Sequence, residues 1–434
     1  MDTPSVPAPV LLEKTPFAGS PYEIQRWRFA NGLTLLLMED RSAPVFAYQT
    51  WFDVGSCNER PGKTGIAHLF EHLMFKATKN LADGEFDKIL ESRGTSSNAA
   101  TWVDWTFYTS GLPSDAGNLD LVAKLEADRM VNLILNETQL EAEREVVLNE
   151  RRYRVDNSPD GLLSELLYSK AWKQHPYHWP TIGWEPDIRA ITLEDCLAFY
   201  RTYYAPNNAT LLVIGDVDSK EVLEIVGRHY GALATQSIPD EQFPDEPPSG
   251  EVRAETTLQV EADKLLVGFR SPALVSDDRA AALVIEALGF GGLSARVRRR
   301  LVDEDELASD ISAMLGAFKY PGLLEIRVEM RDGKTAAQGE KALLEELERF
   351  ASEDVAPDEL EKARNQVELG FLSGMRGATE KAESLGNMHL AGGDYRRLFG
   401  EVSRVQSVTA KDVRRVAAKL FAPANRTVVV GRPT

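Results

Sequence analysis

The segment Ile188–Gly215, IRAITLEDCLAFYRTYYAPNNATLLVIG, returns near the C-terminus as Val405–Gly431, VQSVTAKDVRRVAAKLFAPANRTVVVG. Thr192, Asp195, Pro206, Asn208 and Thr210 match Thr409, Asp412, Pro423, Asn425 and Thr427, each 217 positions later in a chain of 434. Both copies carry the same physical signals. A threonine caps a helix start, with an aspartate three residues on. Ala-Pro ends the helix, because the residue before proline is pushed out of helical geometry. An apolar strand follows, LLVIG or TVVVG. The chain therefore reads as two copies of one unit of about 220 residues, too long a period for a solenoid.

The join falls in Gln236–Glu251, QSIPDEQFPDEPPSGE, with four prolines, five acidic residues and no apolar periodicity. Such a stretch is an extended linker. The expected domains are residues 21–235 and 252–434, joined by the linker at 236–251. A Pro- and Ala-rich lead-in, residues 1–20, is expected to be flexible. Within the first half, Glu23–Ala30 and Leu33–Met38 flank Asn31-Gly32, a hairpin turn signal. Pro44–Val54, Ser96–Val103 and Thr106–Leu112 read as further strands, and Leu119–Leu135 and Thr138–Val155 as helices. In the second half, strands are expected at Thr256–Val260, Lys264–Ser271 and Gly322–Met330. Helices are expected at Arg279–Leu288, Thr335–Ala351 and Pro357–Ser373. Strands early and helices late in each half predict an α+β fold. Each half would be a mostly antiparallel sheet with helices packed on one face.

The formal charge of −18 argues against general nucleic-acid binding, which needs a basic face. No apolar run approaches the roughly 20 residues of a membrane span. Two cysteines, Cys57 and Cys196, exclude a disulfide framework and read as buried small side chains.

The chemistry concentrates in His68-Leu69-Phe70-Glu71-His72. On a helix, positions i, i+3 and i+4 share one face, so His68, Glu71 and His72 point the same way. Two imidazoles at that spacing can hold Zn²⁺, and a carboxylate beside them can accept a proton from water. Catalytic zinc takes three protein ligands, so a third is needed. Glu143 and Glu150, seven residues apart in EREVVLNE, share a helix face. One of them could bind metal while the other supports a histidine, or both could be solvated residues of an acidic helix paired with Arg144, Arg151 and Arg152. His175 and His178 lie in a Pro- and aromatic-rich loop that reads as packing. His229 and His389 read as structural helix residues.

GSCNERPGKTGIAHLFEHLMFKAT (Gly55–Thr78), NAATWVDWTFY (Asn98–Tyr108), EREVVLNERR (Glu143–Arg152) and HPYHWPTIGWEPDI (His175–Ile188) resemble, in order and spacing, the inverted-zincin metallopeptidases. That family includes pitrilysin, insulin-degrading enzyme and the mitochondrial processing peptidase. The resemblance is specific in the first half and one of layout in the second. It implies one zinc per chain, held by His68, His72 and Glu150. It also implies that Glu71 is the general base, that Glu143 supports a zinc ligand, and that Asn98 and Ala99 form a strand edge that pairs with an unfolded peptide substrate. The overall form it implies is a clamshell, and the length is that of short members that work as paired chains.

In active members, an arginine and a tyrosine seven residues apart follow a Gly-Gly-x-Ser-x-Arg segment of the second domain. Here that segment is Gly291–Arg296, and the two positions fall on Val302 and Ser309, neither of which can grip a substrate oxyanion. The departure implies a heterodimer in which this chain carries zinc and a paralogous subunit carries the arginine and tyrosine. Two other readings stand beside it. One is a non-catalytic structural or peptide-binding subunit of the same fold, and the other is a zinc hydrolase acting on a non-peptide. The periplasm is the favoured compartment, for a mature form after signal removal, with the cytoplasm as alternative.

Overall fold

Thr192 and Thr409 start the helices Leu193–Tyr203 and Ala410–Leu420 with identical reciprocal caps. Each threonine hydroxyl accepts from the backbone N–H of Asp195 or Asp412, whose carboxylate accepts from the backbone N–H of the threonine. The asparagine of each copy then ties the helix end to the strand after it. Asn208 Nδ2 donates to the Tyr203 carbonyl at 2.9 Å and Asn425 Nδ2 to the Leu420 carbonyl at 2.7 Å. The repeat is thus maintained hydrogen bond by hydrogen bond, which explains why Thr, Asp and Asn persist while the apolar residues between them vary.

The computed structural model describes residues 7–17, 19–95 and 97–434. The chain packs as two units. One gathers the chain up to Asn149, Thr181–Gln242 and Gly374–Phe399, and the other gathers Glu150–Pro180, Phe243–Ser373 and Gly400–Thr434.

The first unit holds β1 (Val10–Pro16), β2 (Glu23–Arg28), β3 (Thr34–Glu39), β4 (Val45–Phe52), β5 (Ser97–Thr101), β6 (Thr106–Pro113) and β7 (Ala209–Gly215). They form a seven-stranded sheet in the order β1-β2-β3-β7-β4-β6-β5. The second unit holds β8 (Val252–Leu258), β9 (Lys264–Arg270), β10 (Ala308–Leu315), β11 (Leu323–Met330) and β12 (Arg426–Pro433), in the order β10-β11-β9-β12-β8. Read from the opposite edge, this order repeats β3-β7-β4-β6-β5. The parallel pairs match as well, β3 with β7 and β8 with β12, and all other pairs are antiparallel. The fold is α+β, built from two related halves. β1 falls within the expected lead-in, of which residues 1–6 and 18 lie outside the described residues, as does Ser96 at the start of the strand expected before Asp104. Gly32, with φ of 84°, turns the β2–β3 hairpin at the predicted Asn-Gly.

Both faces of each sheet are buried. In the first unit Leu35, Leu37, Phe46, Tyr48, Leu211 and Val213 face the main core. Their neighbours Leu36, Met38, Ala47, Trp51, Leu212 and Ile214 are buried on the reverse face. There the helix Ala378–Leu390, from the second half of the sequence, covers the sheet, and Gln49 Nε2 donates to the Thr379 carbonyl at 3.2 Å. In the second unit the helix Pro159–Ala171, from the first half, covers the reverse face: Leu167 packs on Gly268 and Leu163 on Gly431. Each half of the sequence therefore supplies one helix to the unit built on the other half's sheet. Double burial explains why the central strands read as unbroken apolar runs.

Residues 233–249 form no helix or strand. Acidic side chains pin this stretch. Glu241 accepts from Asn58, Arg60 and Tyr203 in the first unit, and Glu246 accepts from the backbone N–H groups of Lys173, Gln174 and His175 in the second. Cys57 and Cys196 are both buried thiols, and burial pushes the Cys196 thiol up to about 12.

Gly386 lies against the ring of Trp51, where a Cβ would come within 2.4 Å of it. Gly386→Ala should therefore destabilise the first unit by about 1–3 kcal/mol through overpacking, read as a lower urea midpoint. An unchanged midpoint would show that the helix Ala378–Leu390 is not seated on Trp51.

Candidate metal centre

The motif forms the helix Ile66–Leu73. Ile66, Ala67, Leu69, Phe70 and Leu73 are buried in the first core, which leaves His68, Glu71 and His72 on the opposite side. The start of this helix is fixed from outside. The buried carboxylate of Glu59 accepts from the backbone N–H groups of Gly65 and Ala67, both at 2.9 Å. Burial pushes the Glu59 carboxyl well above its usual range, against the pull of those two amides. Asp187 accepts from the Thr64 hydroxyl at 2.8 Å, and Thr64 Oγ1 accepts from Trp184 N–H at 3.0 Å. Gly183 lies so close to Gly65 that a Cβ would meet its Cα at 2.5 Å. The sequence TIGWEPDI is therefore a brace for the motif helix.

The helix Glu137–Arg151 carries both candidate glutamates. The division between the units falls inside it, after Asn149, but the helix is unbroken, so its last turn presents Glu150. One ligand atom each of His68, His72 and Glu150 lie within 4.8 Å of one another, a group able to hold a metal ion. The imidazole rings of His68 and His72 stand 4.9 Å apart and nearly perpendicular.

Glu143 sits behind His72. Its Oε2 is 3.4 Å from His72 Nδ1, and its Oε1 is 2.6 Å from Lys76 Nζ. Burial raises this carboxyl, but the hydrogen bonds from His72 and Lys76 outweigh it and hold the group below the usual carboxylate value. A carboxylate on Nδ1 leaves Nε2 as the natural ligand atom. Glu150 also pairs with Arg154, Oε1 to Nε at 2.8 Å, at the π-helical turn Arg152–Asp156. Glu71 Oε2 accepts a 2.6 Å hydrogen bond from Thr101 Oγ1. Asn98 and Ala99 lie on β5, the terminal strand, which among the described residues is bonded only to β6.

Sequence reading missed three of these side chains. Lys76, Thr101 and Glu59 are common surface residue types, and only the fold brings them to the motif. The two positions where the resemblance implies arginine and tyrosine hold residues with structural roles. Val302 is in the second core, and Ser309 Oγ donates to the Glu329 carbonyl. Arg298, Arg299 and Arg300 pair with Asp310, Glu304 and Asp305. His175 is buried among Trp172, Tyr177, Phe243 and Tyr320, and burial carries its pKa down to about 4. That is the packed loop expected from its sequence.

The second unit repeats the scaffold without the imidazole pair. The helix Arg279–Phe290 buries Ala281, Ala282, Val284, Ile285 and Leu288 with the same spacing as Ile66, Ala67, Leu69, Phe70 and Leu73. In that register His68 and His72 are replaced by Leu283 and Ala287, and Glu71 by Glu286. The first-turn hydrogen bonds Leu140 N–H to Asn136 and Leu360 N–H to Ala356 align the glutamate helix with Pro357–Ser373. Glu143 then falls on Ala363 and Glu150 on Gly370.

Comparison with known proteins agrees with this asymmetry. The sequence model of the insulinase family, peptidase family M16, matches residues 34–184, and that of the peptidase M16 inactive domain matches residues 190–367. The chain is 32% identical over 415 residues to the zinc protease PqqE of Helicobacter pylori, covering 93% of this chain and 91% of that protein. It is 27% identical over 395 residues to an uncharacterized zinc protease of Mycobacterium leprae, covering 90% and 87%. A crystal structure of a protease from Helicobacter pylori superposes with a TM-score of 0.90 at 31% identity, covering 94% of this chain and 99% of that one. The first half of the periplasmic protease PqqL of Escherichia coli shares the fold, with a TM-score of 0.79 at 18% identity and coverage of 98% and 93%. With that similarity spanning nearly its whole length, the chain belongs to peptidase family M16, the insulinase family.

Proposed function

We propose that this chain is the zinc-bearing subunit of a metalloendopeptidase that hydrolyses unfolded peptides. The observation that carries the reading is the convergence of His68, His72 and Glu150 from two separate helices. Two imidazole nitrogens and one carboxylate oxygen make the donor set of a catalytic zinc site, which keeps a position open for water or substrate. Bound zinc supplies a Lewis acid that lowers the pKa of water and polarises a scissile carbonyl. Glu143 orients His72, and Lys76 holds Glu143. Glu71 accepts the proton of the attacking water at its carboxylate and returns it to the leaving amine. Asn98 and Ala99 present main-chain groups at the β5 edge, where an extended peptide gains affinity without a fixed sequence.

We read the chain as one partner of a heterodimer. Val302 and Ser309 support this, since valine has no donor and the serine side chain is too short to grip a substrate oxyanion, so a paralogous subunit supplies the arginine and tyrosine. The same two residues also favour the second reading, a non-catalytic structural or peptide-binding subunit. We place the protein in the periplasm, the compartment named for the Escherichia coli protease of the same fold, with the cytoplasm as alternative. Cell fractionation decides between the two.

Glu71→Gln should leave the zinc content unchanged and lower kcat on an unstructured peptide by about a hundredfold to ten-thousandfold. Unchanged turnover contradicts its role as base. Glu143→Gln should weaken zinc binding by about tenfold to a hundredfold, measured by chelator competition, and an unaltered affinity would detach Glu143 from the site. The zinc-loaded chain alone should be nearly inactive and gain activity with a co-purified paralogous subunit. Full activity alone removes the heterodimer. A zinc-loaded pair that cleaves no peptide supports the non-catalytic reading.

A further inference from the structure

Thr101 ends β5 and stands directly opposite Thr106 of β6. The Thr106 hydroxyl is buried, donates to the Val54 carbonyl at 2.9 Å and lies 3.4 Å from Thr101 Oγ1. A threonine in a strand has a stiff χ1, so its hydroxyl holds a defined direction. An ionised carboxylate only accepts hydrogen bonds. The Thr101 proton is therefore given to Glu71 Oε2, at 2.6 Å.

The second unit supports this assignment independently. There Leu324 faces Phe269 as Thr106 faces Phe52, and Leu315 stands opposite Leu324 as Thr101 stands opposite Thr106. The helix counterpart of Glu71 is Glu286, whose Oε1 accepts from the backbone N–H of Leu315 at 3.1 Å. In both units the glutamate of this helix is thus tied to the same place at the end of the edge strand. Only in the unit with the imidazole pair is the tie made by a side chain. There the pair of facing hydroxyls replaces two leucines.

The geometry points to Thr101 as a positioning residue: it holds the Glu71 carboxylate in the orientation from which it takes a proton from water, and Thr106 backs it. The inference rests on the peptidase reading for its kinetic consequence, but the geometry it asserts can be tested without activity. A displacement of about 1 Å at a reacting group costs as much as a hundredfold in rate.

The test uses the zinc-loaded chain, with its partner subunit where activity requires one, on a quenched fluorescent unstructured peptide. Thr101→Val keeps the shape and removes the hydroxyl, and Thr101→Ser keeps the hydroxyl. Thr101→Val should lower kcat by about tenfold to a hundredfold, with KM and zinc affinity unchanged, and Thr101→Ser should restore most of the loss. In crystals of the same variants, the Glu71 carboxylate should leave its place beside residue 101 in Thr101→Val and keep it in Thr101→Ser. A Glu71 that stays in place in Thr101→Val, or an unchanged kcat, overturns the proposal. A wild-type protein that cleaves nothing contradicts the peptidase reading instead, and the crystals still decide the role of Thr101.

Discussion

An eight-residue helix has to satisfy two demands at once, and the period of 3.6 residues per turn lets it do so. Five apolar side chains of Ile66–Leu73 enter the core, and the same rotation brings His68, Glu71 and His72 out together. A helix this short is marginal by itself. Its position is set by the apolar face, by Glu59 at its N-terminus, and by the Thr64–Asp187 and Gly65–Gly183 contacts. With that helix fixed, the last turn of Glu137–Arg151 can complete the site with one side chain, Glu150.

The two units show what the fold requires and what the site adds. Sheet order, the parallel strand pair, the asparagine ties and the helix over the reverse face occur in both. The imidazole pair occurs in one. In the second unit Leu283 and Ala287 take the histidine positions, and Ala363 and Gly370 take those of Glu143 and Glu150. The glutamate counterpart Glu286 remains, but it is only partly exposed, and its desolvation raises the carboxyl above the ordinary value. Such a carboxyl is held by a backbone amide and has no imidazole beside it.

Much of this was legible in the sequence because the relevant signals are local. The capping threonines, the Ala-Pro helix stops, the Asn31-Gly32 turn and the His68–His72 spacing each act over a few residues. The 217-residue offset added long-range information, since it related one such local signal to another. What stayed hidden was set by tertiary contacts. β10, ASDISAML, breaks the polar–apolar alternation at Ser309-Asp310, where the register against β11 shifts. β8 begins four residues before the predicted start, in VRAE, because it pairs in parallel along the edge of the sheet. The helices Pro159–Ala171 and Ala378–Leu390 have weak amphipathic patterns, so nothing local in either shows that it covers the sheet formed by the other half of the sequence. Thr101, Lys76 and Glu59 could have been found only from the partners that they meet in space.

The central claim is that His68, His72 and Glu150 hold one zinc ion together. Anomalous diffraction at the zinc edge from crystals grown with zinc tests it most directly. The account predicts one strong peak at about 2.0–2.2 Å from two imidazole nitrogens and one carboxylate oxygen, those of His68, His72 and Glu150. A peak that lies elsewhere, or zinc-saturated crystals with no peak at this site, contradicts it.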